Sequence, residues 1–242
     1  PAIDSQTSGA AAAGRVAAWL GQLCGSPRPI AAAADPNRCR ACNTCIEICE
    51  YGAPQLIGQG LNRHSWIDPM ICAGCGTCAS LCPSGAITAG YTTDEQMDVI
   101  IKSVLNKPDG RREIGKVIVF ICNWNAYRGL EIAGRSRLQY SPSVYPIRVM
   151  CLGRLSPGII LKAFEQGAAG VLLFGCGPDE CHYGFGRRYV EETVRMASHL
   201  IGLFGYSDKR LKMEQAMPAE AAACGERIES FMAELNRDQA VS

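Results

Sequence analysis

Two regimes of apolar patterning divide the chain. Up to about residue 115 the apolar positions are sparse and, where periodic, follow helical spacing. Val16, Leu20 and Leu23 share a face with Ala13 in an alanine-rich stretch at 9–23, and Met97, Ile100, Ile101 and Val104 do so within 94–106. From residue 116 onward the pattern changes. Apolar, mostly β-branched runs at 117–122, 145–151 and 171–175, with a weaker one at 211–215, alternate with helical stretches near 130–137, 157–166, 189–204 and 220–235. Strands alternating with helices over short connections predict an α/β domain with a parallel sheet of about four strands, covered on both faces.

Turn residues set the expected boundaries. Pro27, Pro29 and the run Ala31–Ala34 read as a linker, and Lys107-Pro-Asp-Gly110 as a turn. The expected organisation is a terminal helix plus linker at 1–34, a cysteine-rich block at 35–92, a linker helix and turn at 93–115, and the α/β domain at 116–242. Pro1 is no initiator, and no basic flank with an apolar h-region follows it. A lone helix at the start is expected of a fragment or processed chain that once followed another domain.

Composition sharpens this picture at one point. Lys plus Arg number 24 against 23 Asp plus Glu, so no global field points to nucleic acid or an anionic membrane surface. The longest apolar runs, at 117–122 and 168–174, are far short of a spanning helix. The chain also carries 14 cysteines, eight of them between residues 39 and 82. Their spacing is that of metal ligands rather than disulfides, which implies a reducing, cytoplasmic setting.

The eight form an internal repeat. Cys39, Cys42, Cys45 and Cys49 recur as Cys72, Cys75, Cys78 and Cys82, and Gly52-Ala53 recurs as Gly85-Ala86, always offset by 33. C-x-x-C-x-x-C-x-x-x-C is the run of a two-cluster bacterial ferredoxin, in which the fourth cysteine serves the other cluster. The expectation is therefore an α+β two-cluster ferredoxin-like domain. One 4Fe-4S cluster falls to Cys39, Cys42, Cys45 and Cys82, the other to Cys72, Cys75, Cys78 and Cys49. Pro83 follows the last cysteine, whereas Glu50 stands at the matching place in the first run. Paired structural zinc sites are the alternative, and crossed runs of four suit zinc poorly. The block offers no vacant metal position, general base or nucleophile, so it reads as an electron wire.

A second constellation lies in the α/β half. Cys122, Cys151 and Cys176 each end an expected strand, and Cys181 lies in the loop after the third. Carboxyl ends of parallel strands share one edge, where the four thiols can meet. Taken singly, each could be a small buried hydrophobe; four at one pole favour a metal site, and a redox disulfide between Cys176 and Cys181 is the other option. His182, beside Cys181, reads as a hydrogen-bonded neighbour with a ligand as the alternative, Trp124 and Tyr183 as packing around the site, and Cys24 and Cys224 as structural. Residues 128–188 carry eight Lys or Arg (128, 135, 137, 148, 154, 162, 187, 188) against four acids, by default a solvated face, though arginine can hydrogen-bond the surroundings of an anionic cluster.

Arg137-Leu-Gln-Tyr140, Arg148-Val-Met-Cys-Leu-Gly-Arg154 and Gly175-Cys-Gly-Pro-Asp-Glu-Cys-His-Tyr183 resemble the delta subunit of methyl-viologen-reducing hydrogenase over about 116–231. That resemblance implies an iron–sulfur electron carrier with a 2Fe-2S cluster, working between a hydrogenase and heterodisulfide reductase. Cys122, Cys151, Cys176 and Cys181 fall on the family's cysteine positions. The family usually reads Cys-Asn-Trp-Cys where this chain has Cys122-Asn-Trp-Asn125. Ser8-Gly-Ala-Ala-Ala-Ala-Gly-Arg15 resembles the last helix of the flavin domain in the flavin-carrying polypeptide of heterodisulfide reductase, a family that continues into a two-cluster ferredoxin domain.

Together these imply an electron-relay segment of a larger oxidoreductase, with FAD mainly on an adjoining flavoprotein portion. The implied partners are flavoprotein and hydrogenase-, formate dehydrogenase- or quinone-linked subunits. The competing readings are a 4Fe-4S module whose α/β half docks a partner without a cluster, and a thiol–disulfide oxidoreductase using Cys176 and Cys181.

Overall fold

The computed structural model describes residues 30–106 and 115–239. The helix expected at 9–23, Cys24, Pro27, Pro29 and the turn at 107–110 lie outside the described residues.

The cysteine block folds as two matching halves. β1 (Ala33–Ala34) pairs antiparallel with β4 (Ile87–Thr88), and β2 (Pro54–Ile57) with β3 (His64–Ile67). Two single-turn helices, α1 (Thr44–Glu47) and α2 (Thr77–Ser80), sit 33 residues apart, like the cysteines they follow. The repeat extends to backbone conformation. Ala41 (φ 51°), Asn43 (φ 69°) and Gly52 (φ 66°) match Gly74 (φ 71°), Gly76 (φ 79°) and Gly85 (φ 58°). Left-handed residues between cysteines turn the loop back around a common centre.

The second half uses glycine at all three places, and the first forces alanine at one of them. A left-handed alanine costs roughly 1–2 kcal/mol, part of which glycine's extra unfolded-state entropy offsets. Ala41→Gly is therefore expected to stabilise the cluster-loaded chain by about 0.5–1 kcal/mol, read as a higher denaturation midpoint. A lower midpoint would count against that strain.

Two boundaries differ from the expected ones. Ala31–Ala34 is no linker, because Ala31 and Ala32 are buried and Ala33–Ala34 is strand β1. Their small side chains allow close approach by Gly90, which lies against the backbone of Ile30 and Ala31 with no room for a Cβ. Nor is α3 (Asp94–Leu105) a free linker helix. A capping box between Thr93 and Gln96 opens it, and Met97, Ile101 and Leu105 are buried in the core of the α/β half.

That half holds β5 (Val117–Cys122), β6 (Val144–Val149), β7 (Gly170–Gly175) and β8 (Leu211–Gln215), all parallel, in the order β6-β5-β7-β8. β5 and β7 are buried along their whole length. α4 (Asn125–Arg135) packs with α7 (Ala221–Gln239), and α5 (Pro157–Glu165) with α6 (Gly186–Leu203), one pair for each face of the sheet. Among the described residues no helix is long and apolar enough to cross a membrane.

Two further differences have physical causes. α4 begins five residues before the expected start because its buried face is made of Ala126, Gly129 and Ala133, too small to register as an apolar stripe. β6 stops at Val149, so Cys151 lies two residues beyond the strand rather than ending it. β6 is also an edge strand, which is why it tolerates Pro146.

The strand order positions the site. From β5 the chain crosses outward to β6, then returns past β5 to β7. In open parallel sheets, the crevice at the carboxyl ends of the two strands flanking such a reversal is where ligands bind. Here those strands are β5 and β7, ending at Cys122 and just before Cys176.

Candidate functional site

The thiols gather in three places. Cys39, Cys42, Cys45 and Cys82 line one small cavity together with Ser65, Pro83 and Ile87. Cys49, Cys72, Cys75 and Cys78 line a second with Tyr51, Thr77 and Phe185. Each group of three from one run is thus joined by the fourth cysteine of the other, in the crossed arrangement the spacing predicts. Among the described residues no three His, Cys, Asp or Glu side chains close on a single-ion site; the thiols line cavities instead.

Backbone amides face the sulfurs. Ala41 N and Ser65 N donate to Cys39 Sγ at 3.4 and 3.3 Å, and Ala86 N to Cys82 Sγ at 3.3 Å. Burial pushes the Cys45 and Cys75 thiols up and Cys78 well up. At Cys82 burial also acts upward, but hydrogen bonds from Ser84, Ala86 and Ile87 outweigh it and bring the thiol down. An apolar setting that resists charged thiolates is stable once a cation core shares the charge.

The third group sits at the sheet crevice. Cys122, Cys151, Cys176 and Cys181 line one cavity with Leu152, Arg187 and Met213. Cys122 and Cys176 sulfurs are 3.6 Å apart across β5 and β7. Hydrogen bonding to Cys122 and Cys181 pushes the Cys176 thiol far up, and its bond to Cys181 does the same for Cys151. The same contacts bring Cys181 far down and Cys122 down. Cys122, Cys176, Cys181 and Cys151 therefore form one connected string of sulfurs. Backbone amides converge on it: Gly153 N on Cys151 at 3.4 Å, and those of Tyr183 and Arg187 on Cys181. Arg187 stands in the first turn of α6, whose N-terminus favours a thiolate.

Cages two and three meet. Buried Cys151, Tyr183 and Phe185 form a cluster against which Ala73, Cys75, Trp124 and Tyr189 pack. The Tyr183 hydroxyl donates to Ala73 O at 3.3 Å, and Ser80 Oγ to Gly153 O at 2.6 Å. No residue that lines cage one belongs to this cluster.

Comparison with known proteins fits this division. Residues 38–86 match the 4Fe-4S dicluster domain family. Residues 117–237, half of the chain, match the family described as methyl-viologen-reducing hydrogenase, delta subunit. An iron-sulfur subunit of the vhc F420-non-reducing hydrogenase of Methanococcus voltae is 40% identical over 117 residues, 48% of this chain and 78% of that protein. The chain belongs to the methyl-viologen-reducing hydrogenase delta subunit family. A subunit of the ferredoxin:CoB-CoM heterodisulfide reductase of Methanosarcina mazei is 36% identical over 231 residues, 96% of this chain but 28% of that protein. The chain thus spans little more than a quarter of the length of that relative.

Within this delta-subunit domain the smaller sequence readings resolve. Asn125 does not line cage three; its Nδ2 donates to Glu180 O at 2.9 Å and ties down the loop that carries Cys181. His182 is exposed and stacks on Trp124, ring centroids 3.5 Å apart, while Tyr183 meets Trp124 edge-on, so both aromatics pack at the site as expected. Cys224 is buried in α7, with its sulfur against Gly129 in α4, away from the cages. Glu50 is exposed, outside the lining of cage two, with its carboxylate beside Gly184 at the seam.

Three residues near the cages carry no sequence signal of their own. Phe185 crosses from the delta-type domain to wall cage two, and Gly186 touches Cys151. Arg187 lines cage three and donates to Cys176 O at 2.6 Å. Only the count of basic residues over 128–188 hints at the arginine.

Proposed function

We propose that this chain is the electron-relay segment of a multisubunit oxidoreductase, with domains near 35–92 and 116–242. Cys39, Cys42, Cys45 and Cys82 hold one 4Fe-4S cluster, Cys49, Cys72, Cys75 and Cys78 the other, and Cys122, Cys151, Cys176 and Cys181 a 2Fe-2S cluster. The donor sets suit these groups: four thiols per cage, each cage walled by apolar atoms and served by backbone amides. Two thiolates on one tetrahedral metal with bonds of about 2.3 Å lie about 3.8 Å apart, close to the 3.6 Å between Cys122 and Cys176.

Bound there, such clusters take up and release single electrons. The chain's own residues do the rest. Cysteines fix the cages, amides and Arg187 stabilise their negative charge, and Tyr183, Phe185 and Trp124 keep water from the seam.

The observation that carries this reading is the packed cluster joining Cys151 to Cys75. It makes cages three and two neighbours, and the common core around Cys45, Cys49, Cys78 and Cys82 does the same for cages two and one, so the relay runs three, two, one. A partner's redox centre would serve cage three, and a flavin on an adjoining portion would serve cage one. Hydrogenase- or heterodisulfide reductase-like subunits are the partners that the relatives' names suggest.

Iron and acid-labile sulfide analysis tests the proposal. About ten irons per chain are expected, two cubanes plus one two-iron cluster. Eight would leave the delta-type half as a docking domain, or as a thiol–disulfide centre if Cys176 and Cys181 then titrate as a redox couple.

A further inference from the structure

Arg154 lines none of the three cages, yet its placement is costly. Its side chain is 4% exposed. Nη2 donates to Thr92 O at 3.1 Å and pairs with Asp94, whose own side chain is 58% exposed and so neutralises the charge only weakly. Nε and Nη1 are buried with no hydrogen-bond partner. A permanently charged guanidinium buried with two idle N–H groups is unfavourable unless something anionic faces it.

The side chain crosses the seam between the domains. Its Cδ lies only 2.5 Å from where a Cβ on Gly76 would be, and Nε is one bond further along. Gly76 stands between Cys75 and Thr77, both of which line cage two. Gly74, Cys75, Gly76, Thr92 and Arg154 together line a single crevice beside that cage. Glycine at position 76 is thus required twice, by its φ of 79° and by the arginine stem lying against it.

We propose that Arg154 is a positioning residue for the second cage. From the delta-type domain its Nε and Nη1 donate toward the anionic group held by Cys49, Cys72, Cys75 and Cys78, stabilising its reduced form. The inference rests on the proposed 4Fe-4S occupancy of that cage. It makes the potential of a ferredoxin cluster depend on a residue of the neighbouring domain. Positive charge and N–H donors near a cluster both favour its more negative, reduced state.

EPR-monitored redox titration of the full, cluster-loaded chain tests this, with iron counted in every sample. Arg154→Met should lower the midpoint of one 4Fe-4S signal, the one that Cys75→Ser perturbs, and leave the other in place. Arg154→Lys, which keeps the charge but loses the planar fork, should give a smaller shift in the same direction. Ser80→Ala removes a different polar contact across the seam without touching the charge, and should shift neither midpoint.

Unchanged midpoints in Arg154→Met at full iron content would overturn the inference while leaving the relay intact. A shift as large in Ser80→Ala would overturn it too, by assigning the effect to domain docking. Wild-type chain with fewer than eight irons would instead remove the occupancy on which it stands.

Discussion

Cys151→Ser should abolish or reshape the 2Fe-2S signal in reduced-state EPR and leave both 4Fe-4S signals in place. Cys151 is buried, its sulfur is hydrogen-bonded to Cys181, and alone of the four thiols in the third cage it belongs to the cluster that packs against Cys75. Serine nearly preserves the volume but is a poorer ligand for iron, and its hydroxyl would sit where only Gly153 N and neighbouring sulfurs are at hand. If Cys151 were a plain buried cysteine, the substitution would cost roughly 1–3 kcal/mol of stability and change no spectrum. Iron analysis separates the cases, with about eight irons expected in the variant against about ten in wild type. A variant with unaltered spectra and iron content would exclude Cys151 as a ligand. Asn125→Cys gives the converse control. It should not raise iron content, because Asn125 already serves the loop by bonding Glu180 O rather than facing the cage.

How much of this is legible in the sequence differs from cage to cage, for physical reasons. The ferredoxin cages are local. Cys39, Cys42 and Cys45 close on each other through two-residue gaps, so spacing alone specifies the loop, and the 33-residue offset specifies the crossing. The third cage depends on topology. Cys122 and Cys176 are 54 residues apart and meet because β5 and β7 are adjacent strands flanking the chain reversal. Strand periodicity places both near strand ends, which is why four thiols can be gathered to one pole.

What the periodicity does not show is the seam. Ala31–Ala34 looks like a linker because alanine has no strand signature, and it forms β1 only through its pairing with Ile87–Thr88. The helix at Asp94–Leu105 looks free because its partners, the core residues of the α/β half, begin more than ten residues later. Arg154 and Gly186 acquire meaning only across that seam or at a helix start, where no local spacing rule applies.

Gly186→Ala should damage the third cage more than any other single-methyl change. Gly186 opens α6, and a Cβ there would overlap Cys151 Sγ and reach within 3.7 Å of Cys181 Sγ. The sign of the effect is informative. Gly186 is not among the positive-φ glycines, and alanine in a helix ordinarily gains up to about 1 kcal/mol over glycine. If Cys151 were free to turn away, the substitution would be neutral or mildly stabilising. If the sulfur is fixed by a cluster and by Gly153 N, the added methyl must displace either a ligand or the helix start, and overpacking costs about 1–3 kcal/mol. The expected result is loss of the 2Fe-2S signal, or a shift in its midpoint, together with a lower thermal midpoint and intact 4Fe-4S signals. Gly202→Ala, in the last turn of the same helix with nothing within 4 Å of an added Cβ, is the matched control and should leave all three signals alone. A Gly186→Ala protein with unchanged 2Fe-2S content and a raised thermal midpoint would show that Cys151 is not held in place. The proposed ligand set would then lose one of its four members.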